Sequence, residues 1–181
     1  MFLSDIDIKK AIEADEIRIT DFSESRLQQA SYDIRLGNKF LVTEDHNTPI
    51  IDPINKILPK YKEVVLQKGE TFTLHPGTTV LGTSLETFGS EKYLIQLSGK
   101  SSLARLGLIV HNTAGLINPG HYLNITFELA NMNHIPIILH PDMEIAQLLF
   151  STLSSLPSKS YAQTGRYADG EANLVGYTDK V

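Results

Sequence analysis

The sequence contains no cysteine among its 181 residues. Disulfides, thiolate zinc sites, iron–sulfur clusters and a cysteine nucleophile are therefore excluded. The chain also lacks any apolar run near the roughly 20 residues that a membrane-spanning helix requires, so we expect no membrane association. Its first ten residues, MFLSDIDIKK, show no apolar signal segment. The resulting expectation is a cytoplasmic protein.

An excess of basic residues is missing as well. Sixteen Lys and Arg stand against 21 Asp and Glu, which gives a formal net charge of −5. This balance argues against a general binder of nucleic acid or of anionic membranes, because such binders present a net basic face. A basic pocket for one small anion stays compatible with it. The six histidines show no HxH, HxxxH or HExxH spacing, so no histidine metal site is expected.

Helix signals are confined to the first thirty residues. Ser4 is placed to cap a helix in which Ile8, Ala11 and Ile12 recur at helical spacing. A second short helix is predicted to start at Ser23 and to run to Gln29.

Beyond these helices the hydrophobic pattern has a period of two. Tyr32, Ile34 and Leu36 alternate with polar residues, and Gly37-Asn38 is predicted to interrupt the strand. Many short strands between turns predict a mainly β sandwich or barrel with a small helical N-terminus. The other predicted strands are Val64–Leu66, Thr71–Leu74, Thr79–Ser84, Leu94–Leu97, Asn124–Asn131, Ile137–Leu139 and Ile145–Phe150.

The chain is predicted to form one β domain followed by an arm. Residues 1–150 make up the domain, including a long excursion at residues 44–63 that carries three prolines. Residues 151–181 are rich in Ser, Gly and Ala and lack the periodicity of a core, so we expect them to form a mobile C-terminal arm.

The segment from Gly99 to Gly107, GKSSLARLG, carries two hydroxyls and two cations around a predicted short helix. Backbone N–H groups and cations of this kind suit a polyphosphate. The segment is no Walker A loop, because Leu94 stands where the first glycine is needed. A capped surface helix with solvated Lys and Arg explains the pattern equally well.

The strand Asn124–Asn131 places a carboxylate among small polar neighbours. Ile125, Phe127 and Leu129 share one face, which leaves Thr126 and Glu128 on the other. Glu128 is either a general base aimed into a pocket or a solvated side chain. The residues alone leave both alternatives open.

Taken together, these segments resemble the dCTP deaminase branch of the trimeric dUTPase-like superfamily. The resemblance covers nearly the whole chain, and several ordered motifs are more specific than any one of them. The motifs are Ala30–Asn38 (ASYDIRLGN), Gly99–Gly107, Ala114-Gly115, Asn118-Pro119-Gly120, Thr126–Leu129 (TFEL) and Pro141–Leu148 (PDMEIAQL).

The resemblance implies a fold, an assembly and a reaction. The fold is a distorted β-barrel or jelly-roll, and the assembly is a homotrimer with its sites at subunit interfaces. The reaction is dCTP + H₂O → dUTP + NH₃, with the nucleotide bound together with Mg²⁺ and without zinc. The absence of cysteine agrees with this, since zinc deaminases need a P-C-x-x-C motif.

The resemblance also implies roles for single residues. Glu128 is the expected catalytic base, and Ser101 and Arg105 are expected beside the reacting water. The expected substrate contacts are Lys100 and Ser102 on the phosphates, the backbone of Ala114, Thr126 and Phe127 on the pyrimidine, Gln147 on the nucleotide, and Tyr161 and Arg166 of the arm over the triphosphate.

Three departures from the family pattern bear on the reaction. Asn118 replaces an Asp that contacts the deoxyribose 3′-hydroxyl, and an amide cannot act as a base. Residues 168–171 (ADGE) replace a Gln-rich arm segment, whereas Gly115-Leu116 resembles the bifunctional members.

The leading expectation is a dCTP deaminase that supplies dUTP for thymidylate synthesis, with dTTP as a candidate inhibitor. One alternative is a bifunctional enzyme that releases dUMP and pyrophosphate from dCTP. The other is a non-catalytic, nucleotide-binding regulatory trimer. No nucleic-acid partner is expected.

Overall fold

The computed structural model describes residues 1–44 and 49–168, and within them the chain is mainly β. The helices are α1 (Asp5–Glu13), α2 (Ser101–Ala104) and α3 (Tyr161–Thr164), with a 3₁₀ turn at Glu24–Arg26. The strands are β1 (Arg18–Ile19), β2 (Leu27–Gln28), β3 (Ser31–Thr43), β4 (Tyr61–Val65), β5 (Phe72–Leu74), β6 (Thr79–Ser84), β7 (Phe88–Ser90), β8 (Tyr93–Gly99), β9 (Leu108–Ile109), β10 (Leu116–Ile117), β11 (His121–Leu123), β12 (Thr126–Asn131), β13 (Ile137–Leu139) and β14 (Glu144–Thr152).

Nine of these strands form the main sheet, in the order β10-β8-β14-β3-β6-β12-β9, with β2 and β4 also paired to β3. A second sheet has the order β1-β7-β11, and β13 pairs with β5. The predicted mainly β fold is thereby confirmed. None of the described helices is long and apolar enough to cross a membrane.

Strand β3 is the centre of the main sheet because it changes partners along its length. Tyr32–Arg35 pairs with β14, whereas Lys39–Thr43 pairs with β4. Its apolar side chains alternate into the core, where Ile34 and Phe40 are fully buried. Burial of each such side chain stabilises the fold by about 1.5–3 kcal/mol.

The predicted interruption at Gly37-Asn38 is wrong, since β3 runs through both residues. The pairing with β6 shifts register between Leu36 and Phe40, so an irregularity absorbs the glycine and the strand continues. The Asn38 amide donates to the carbonyl of Leu66 at 3.0 Å, which ties this point to the end of β4.

The first predicted helix is confirmed and the second is wrong. Ser4 caps α1 by accepting a hydrogen bond from the backbone of Asp7, and Ile8 and Ala11 face the core. Only a 3₁₀ turn forms after Ser23, because Leu27–Gln28 pairs with β3 instead of continuing a helix. A local hairpin thus replaces the predicted helix.

Strands that carry a clear alternation were predicted well. β6 and β13 have the predicted bounds, and β14 continues two residues beyond the predicted domain boundary at residue 150. Strands β1, β7, β9, β10 and β11 were not predicted, because two or three residues carry no readable period.

The predicted excursion and arm are described only in part. Residues 45–48 of the excursion, and residues 169–171 of the altered arm segment with the chain beyond them, lie outside the described residues. The described part of the arm includes α3, whose Tyr161 N–H donates to the carbonyl of Pro119 at 2.9 Å. The division into a domain and a mobile arm stays a prediction.

A buried carboxylate joins three separate segments. The Glu86 side chain is fully buried between β6 and β7, 2.9 Å from Nη1 of Arg26 and 2.7 Å from Nε of Arg35. Its second oxygen accepts the backbone N–H of Arg35 at 2.9 Å. Because both guanidinium groups are largely shielded from water, removing this carboxylate leaves charge without a buried partner.

We therefore expect Glu86→Gln to lower the free energy of unfolding by about 3–5 kcal/mol, the cost of breaking a buried ion pair. Urea unfolding at fixed protein concentration measures the change. Glu13→Gln, at an exposed position near the end of α1, is the control and should stay within about 0.5 kcal/mol of wild type. Equal stability of the two variants would contradict this role for Glu86.

Candidate active site

A cavity of about 490 Å³ opens between the main sheet, β11 and the described part of the arm. Its walls combine apolar side chains with a few polar groups, which is the usual composition of a small-molecule site. The lining residues are Tyr61, Leu81, Ala114, Leu116, Ile117, His121, Asn124, Ile125, Thr126, Glu128, Tyr161, Arg166 and Tyr167.

Strand β12 supplies the carboxylate of this cavity. Its side chains alternate as predicted, with Phe127 and Leu129 in the core and Thr126 and Glu128 on the cavity face. Oε2 of Glu128 accepts the backbone N–H of Asn112 at 2.7 Å. The carboxylate is therefore held in the cavity wall by the backbone, and it is not a freely solvated side chain.

Two further residues predicted to contact the substrate, Ala114 and Phe127, also belong to this region. Ala114 lines the cavity just before β10. The Phe127 ring is fully buried, so only the backbone of this residue is near the cavity, and there it pairs with Gly82 of β6. The expectation that residues 126 and 127 act through their backbone stays a prediction.

The arm closes one side of the cavity. Tyr161 and Arg166 both line it, as does Tyr167, which was not predicted. The Tyr161 ring lies 5.4 Å from the ring of His121. Because α3 has only four residues, these contacts and not its own hydrogen bonds keep it in place.

A second group of predicted residues surrounds the buried carboxylate of Asp33. Nζ of Lys100 lies 2.6 Å from both Asp33 and Glu144, and Nε2 of Gln147 donates to Asp33 at 3.2 Å. Burial opposes the charge of Lys100, but the hydrogen bonds to the two carboxylates outweigh it and raise its pKa above the usual value. Neither Lys100 nor Gln147 lines the cavity of Glu128.

Ser101, Ser102 and Arg105 lie on or just after α2, and all three are exposed. The predicted short helix is confirmed, with Lys100 at the N-cap but without a capping side-chain hydrogen bond. Strand β9 follows and pairs with β12 at Ala130 and Asn131, the end opposite Thr126. Within one chain, Glu128 lines the main cavity, and Ser101, Ser102 and Arg105 do not.

Asn118 also lies outside the main cavity. It lines a second cavity of about 390 Å³ on the other side of α3, together with Pro119, Lys159 and Tyr161 among others. Its carbonyl accepts the backbone N–H of His121 at 3.2 Å. Asn118 therefore lines a neighbouring cavity and does not line the main one.

Three aromatic residues of the main cavity were missed. Tyr61 lies at the start of β4, His121 on the three-residue β11, and Tyr167 in the arm. None of these positions belongs to a hydrophobic pattern long enough to be recognised in the sequence. Burial raises the pKa of the Tyr61 phenol and lowers the pKa of the His121 imidazole, against a smaller opposite effect of the Phe88 carbonyl on His121. At neutral pH both side chains are uncharged.

The described residues contain no group of three or more His, Asp or Glu side chains arranged to hold a metal ion. Mg²⁺ in nucleotide sites usually takes substrate phosphates and only one or two carboxylates as ligands.

Comparison with known proteins assigns the chain to a class. A family described as dCTP deaminase-like matches residues 2–153. The chain therefore belongs to the dCTP deaminase-like family. One relative, from Coprothermobacter proteolyticus, is named "dCTP deaminase, dUMP-forming"; it is 38% identical over 172 residues, which cover 94% of this chain and 92% of the relative.

Solved structures support the fold. The 2′-deoxycytidine 5′-triphosphate deaminase of Agrobacterium tumefaciens matches with a TM-score of 0.64 and 21% identity over 91% of this chain. The match spans about half of that structure, 51% of its length. The EIAV dUTPase matches with a TM-score of 0.50 and 17% identity, over 79% of this chain and 92% of that one. The dUTPase-like fold expected from the resemblance is confirmed.

The docking of the arm depends on Gly120. This residue has φ +90°, and a Cβ there would lie 1.8 Å from Oγ of Ser160 and 2.8 Å from the backbone nitrogen of Tyr161. We expect Gly120→Ala to displace α3, so that trypsin cuts after Lys159 and Arg166 several-fold faster than in wild type.

Gly77→Ala is the matched control for this change. Gly77 has φ +69° but no atom within 4 Å of its added Cβ, so it carries the same backbone strain without the clash. Its tryptic pattern should remain that of wild type. Identical cleavage of the wild type and Gly120→Ala would show that α3 does not depend on this contact.

Proposed function

We propose that this protein is a dUMP-forming dCTP deaminase that acts as a homotrimer. The overall reaction is dCTP + 2 H₂O → dUMP + pyrophosphate + NH₃. The observation that carries the proposal is the Glu128 carboxylate, fixed by the Asn112 N–H in the wall of a cavity of nucleotide size. The name of the relative favours this bifunctional reaction over the leading expectation, which stopped at dUTP.

Glu128 performs the proton transfers of deamination in this proposal. Its carboxylate takes a proton from water as the water oxygen bonds to C4 of cytosine. The same proton then passes to the amino nitrogen, the C4–N bond breaks, and ammonia leaves. The backbone of Ala114, Thr126 and Phe127 holds the pyrimidine during these steps. Ser101 and Arg105 position the attacking water.

The proposed assembly brings Ser101 and Arg105 from a neighbouring subunit. Support comes from the lining of the main cavity, which includes Glu128 but neither Ser101 nor Arg105 of the same chain. Further support is an apolar surface beside α2, where Leu106, Met132 and Ile135 are 56%, 69% and 68% exposed. An exposed patch of this kind is typical of a surface that a partner covers.

The phosphates interact with cations and hydroxyls in this proposal. Lys100 and Ser102 approach them from the α2 side, and Tyr161 and Arg166 from the arm. A Mg²⁺ ion bound with the nucleotide would neutralise part of the phosphate charge. Gln147 holds the nucleotide through the Asp33 cluster. dTTP carries the same triphosphate as dCTP and can make the same phosphate contacts, so it is the candidate inhibitor.

A second candidate function ends at dUTP. Asn118 favours it, because a neutral amide supplies neither charge nor a base for the hydrolysis of dUTP. A dUMP-forming enzyme has to activate water at the α-phosphate by another group.

Incubation of the purified protein with dCTP and Mg²⁺, followed by chromatography, separates these functions. We expect dUMP, pyrophosphate and ammonia in equal amounts, without accumulation of dUTP. Accumulation of dUTP would instead establish the monofunctional deaminase. Unchanged dCTP, from protein whose melting temperature rises with the nucleotide, would identify a regulatory binding protein.

Mixed trimers test whether Glu128 and Arg105 of one site come from different subunits. Glu128→Gln and Arg105→Ala alone should each slow deamination at least about a hundredfold, because each removes one part of every site. Random mixing of the two variants should restore about a quarter of wild-type activity, since half of the subunits supply each intact part. No recovery in verified mixed trimers would place both residues in one subunit.

A further inference from the structure

His121 is a buried polar side chain in the wall of the main cavity, and it takes no part in the proposed proton transfers or phosphate contacts. It lies at the start of β11 with 6% of its surface exposed. Its ring packs between Phe88, at 5.9 Å, and Tyr161 of the arm, at 5.4 Å. These contacts fix the plane of the imidazole beside the cavity.

The hydrogen bond of the ring defines which nitrogen can act on a ligand. Nδ1 lies 3.3 Å from the carbonyl oxygen of Phe88. A carbonyl only accepts, so Nδ1 carries the proton of the neutral imidazole and Nε2 is left as an acceptor. Burial lowers the pKa of His121, which keeps the ring neutral and Nε2 unprotonated at neutral pH. Because His121 lines the cavity, Nε2 is the ring nitrogen left to accept a hydrogen bond from a ligand.

The position of His121 along the cavity selects the part of the nucleotide that meets it. Thr126 and Glu128 of β12 belong to the end assigned to the base, and Tyr161 and Arg166 of the arm to the end assigned to the phosphates. His121 lines the same cavity as Thr126 and Glu128, and its ring contacts Tyr161, so it is within the site that both ends of the nucleotide share. The sugar is the part of a nucleotide that joins base and phosphates.

Resting on the proposed function, we infer that Nε2 of His121 accepts a hydrogen bond from the deoxyribose 3′-hydroxyl. This hydroxyl is the only one in dCTP. The other uncharged donor, the cytosine amino group, has to face Glu128 for deamination. Asn118, the residue expected to contact the sugar, lines the cavity on the other side of α3. His121 thereby takes over recognition of the sugar.

The test compares dCTP with 2′,3′-dideoxycytidine 5′-triphosphate, which differs only by the missing 3′-hydroxyl. In the wild type we expect kcat/KM for deamination to be about 10- to 100-fold higher for dCTP, because the analogue leaves a buried acceptor without a donor. In His121→Phe, which keeps a ring between Phe88 and Tyr161, the two substrates should differ by no more than about twofold.

Two further variants make the comparison specific. His121→Gln retains an acceptor oxygen and should keep part of the preference for dCTP, which a purely structural role for the ring would not produce. Asn118→Ala should keep the wild-type ratio of the two substrates. The inference would be overturned if Asn118→Ala lost the preference for dCTP over the dideoxy analogue, or if His121→Phe kept it.

Dissociation constants of dCTP and of 2′,3′-dideoxycytidine 5′-triphosphate, measured with the Glu128→Gln protein, separate this inference from the proposed function. Absence of dCTP turnover in the wild type would refute the proposed function alone, since the binding ratio still reports on His121. Equal binding of the two nucleotides to the Glu128→Gln protein would refute the assignment of His121, whatever the enzyme does to dCTP. Circular dichroism confirms that each variant is folded before it is scored.

Discussion

The partner change of β3 is the constraint from which the other features follow. One strand of thirteen residues pairs with β14 in its first half and with β4 in its second, so both regions are held in a single register. Asp33 projects from the first half to hold Lys100 and Gln147, and Arg35 reaches the buried Glu86. A slip of one residue would move these charges to the wrong face and separate every one of these pairs.

The sequence was informative wherever a side chain obeys the period of its strand. The alternation around Glu128 correctly predicted which residues of β12 leave the core, and the capping pattern at Ser4 predicted α1. It failed after Ser23 because Leu27 and Gln28 form a tight hairpin with the first two residues of β3. His121 and Tyr61 left no signal at all. Their place in the cavity depends on how separate strands meet, and short strands carry no pattern to reveal it.

In the proposed function, the charges around Lys100 let an acidic chain bind an anionic substrate. Lys100 is shared by two carboxylates, of which Asp33 is buried and Glu144 is 42% exposed at its side chain. A phosphate that approaches this ammonium competes with the exposed Glu144, because water already screens that pair. Asp33 keeps its contact and continues to orient the ammonium. The site can therefore exchange one carboxylate for a phosphate without leaving a buried charge unpaired.

The short helix α3 and the strand that carries Glu128 are held by separate sets of contacts. The helix is held by the Pro119 carbonyl, the bare backbone of Gly120 and the ring of His121, whereas Glu128 belongs to β12, which pairs with β6 along five residues. In the proposed function, substitutions in α3 would alter the contacts over the nucleotide without disturbing the strand that carries the carboxylate. Variation there would change how long a nucleotide stays bound and leave the group that transfers the proton unchanged.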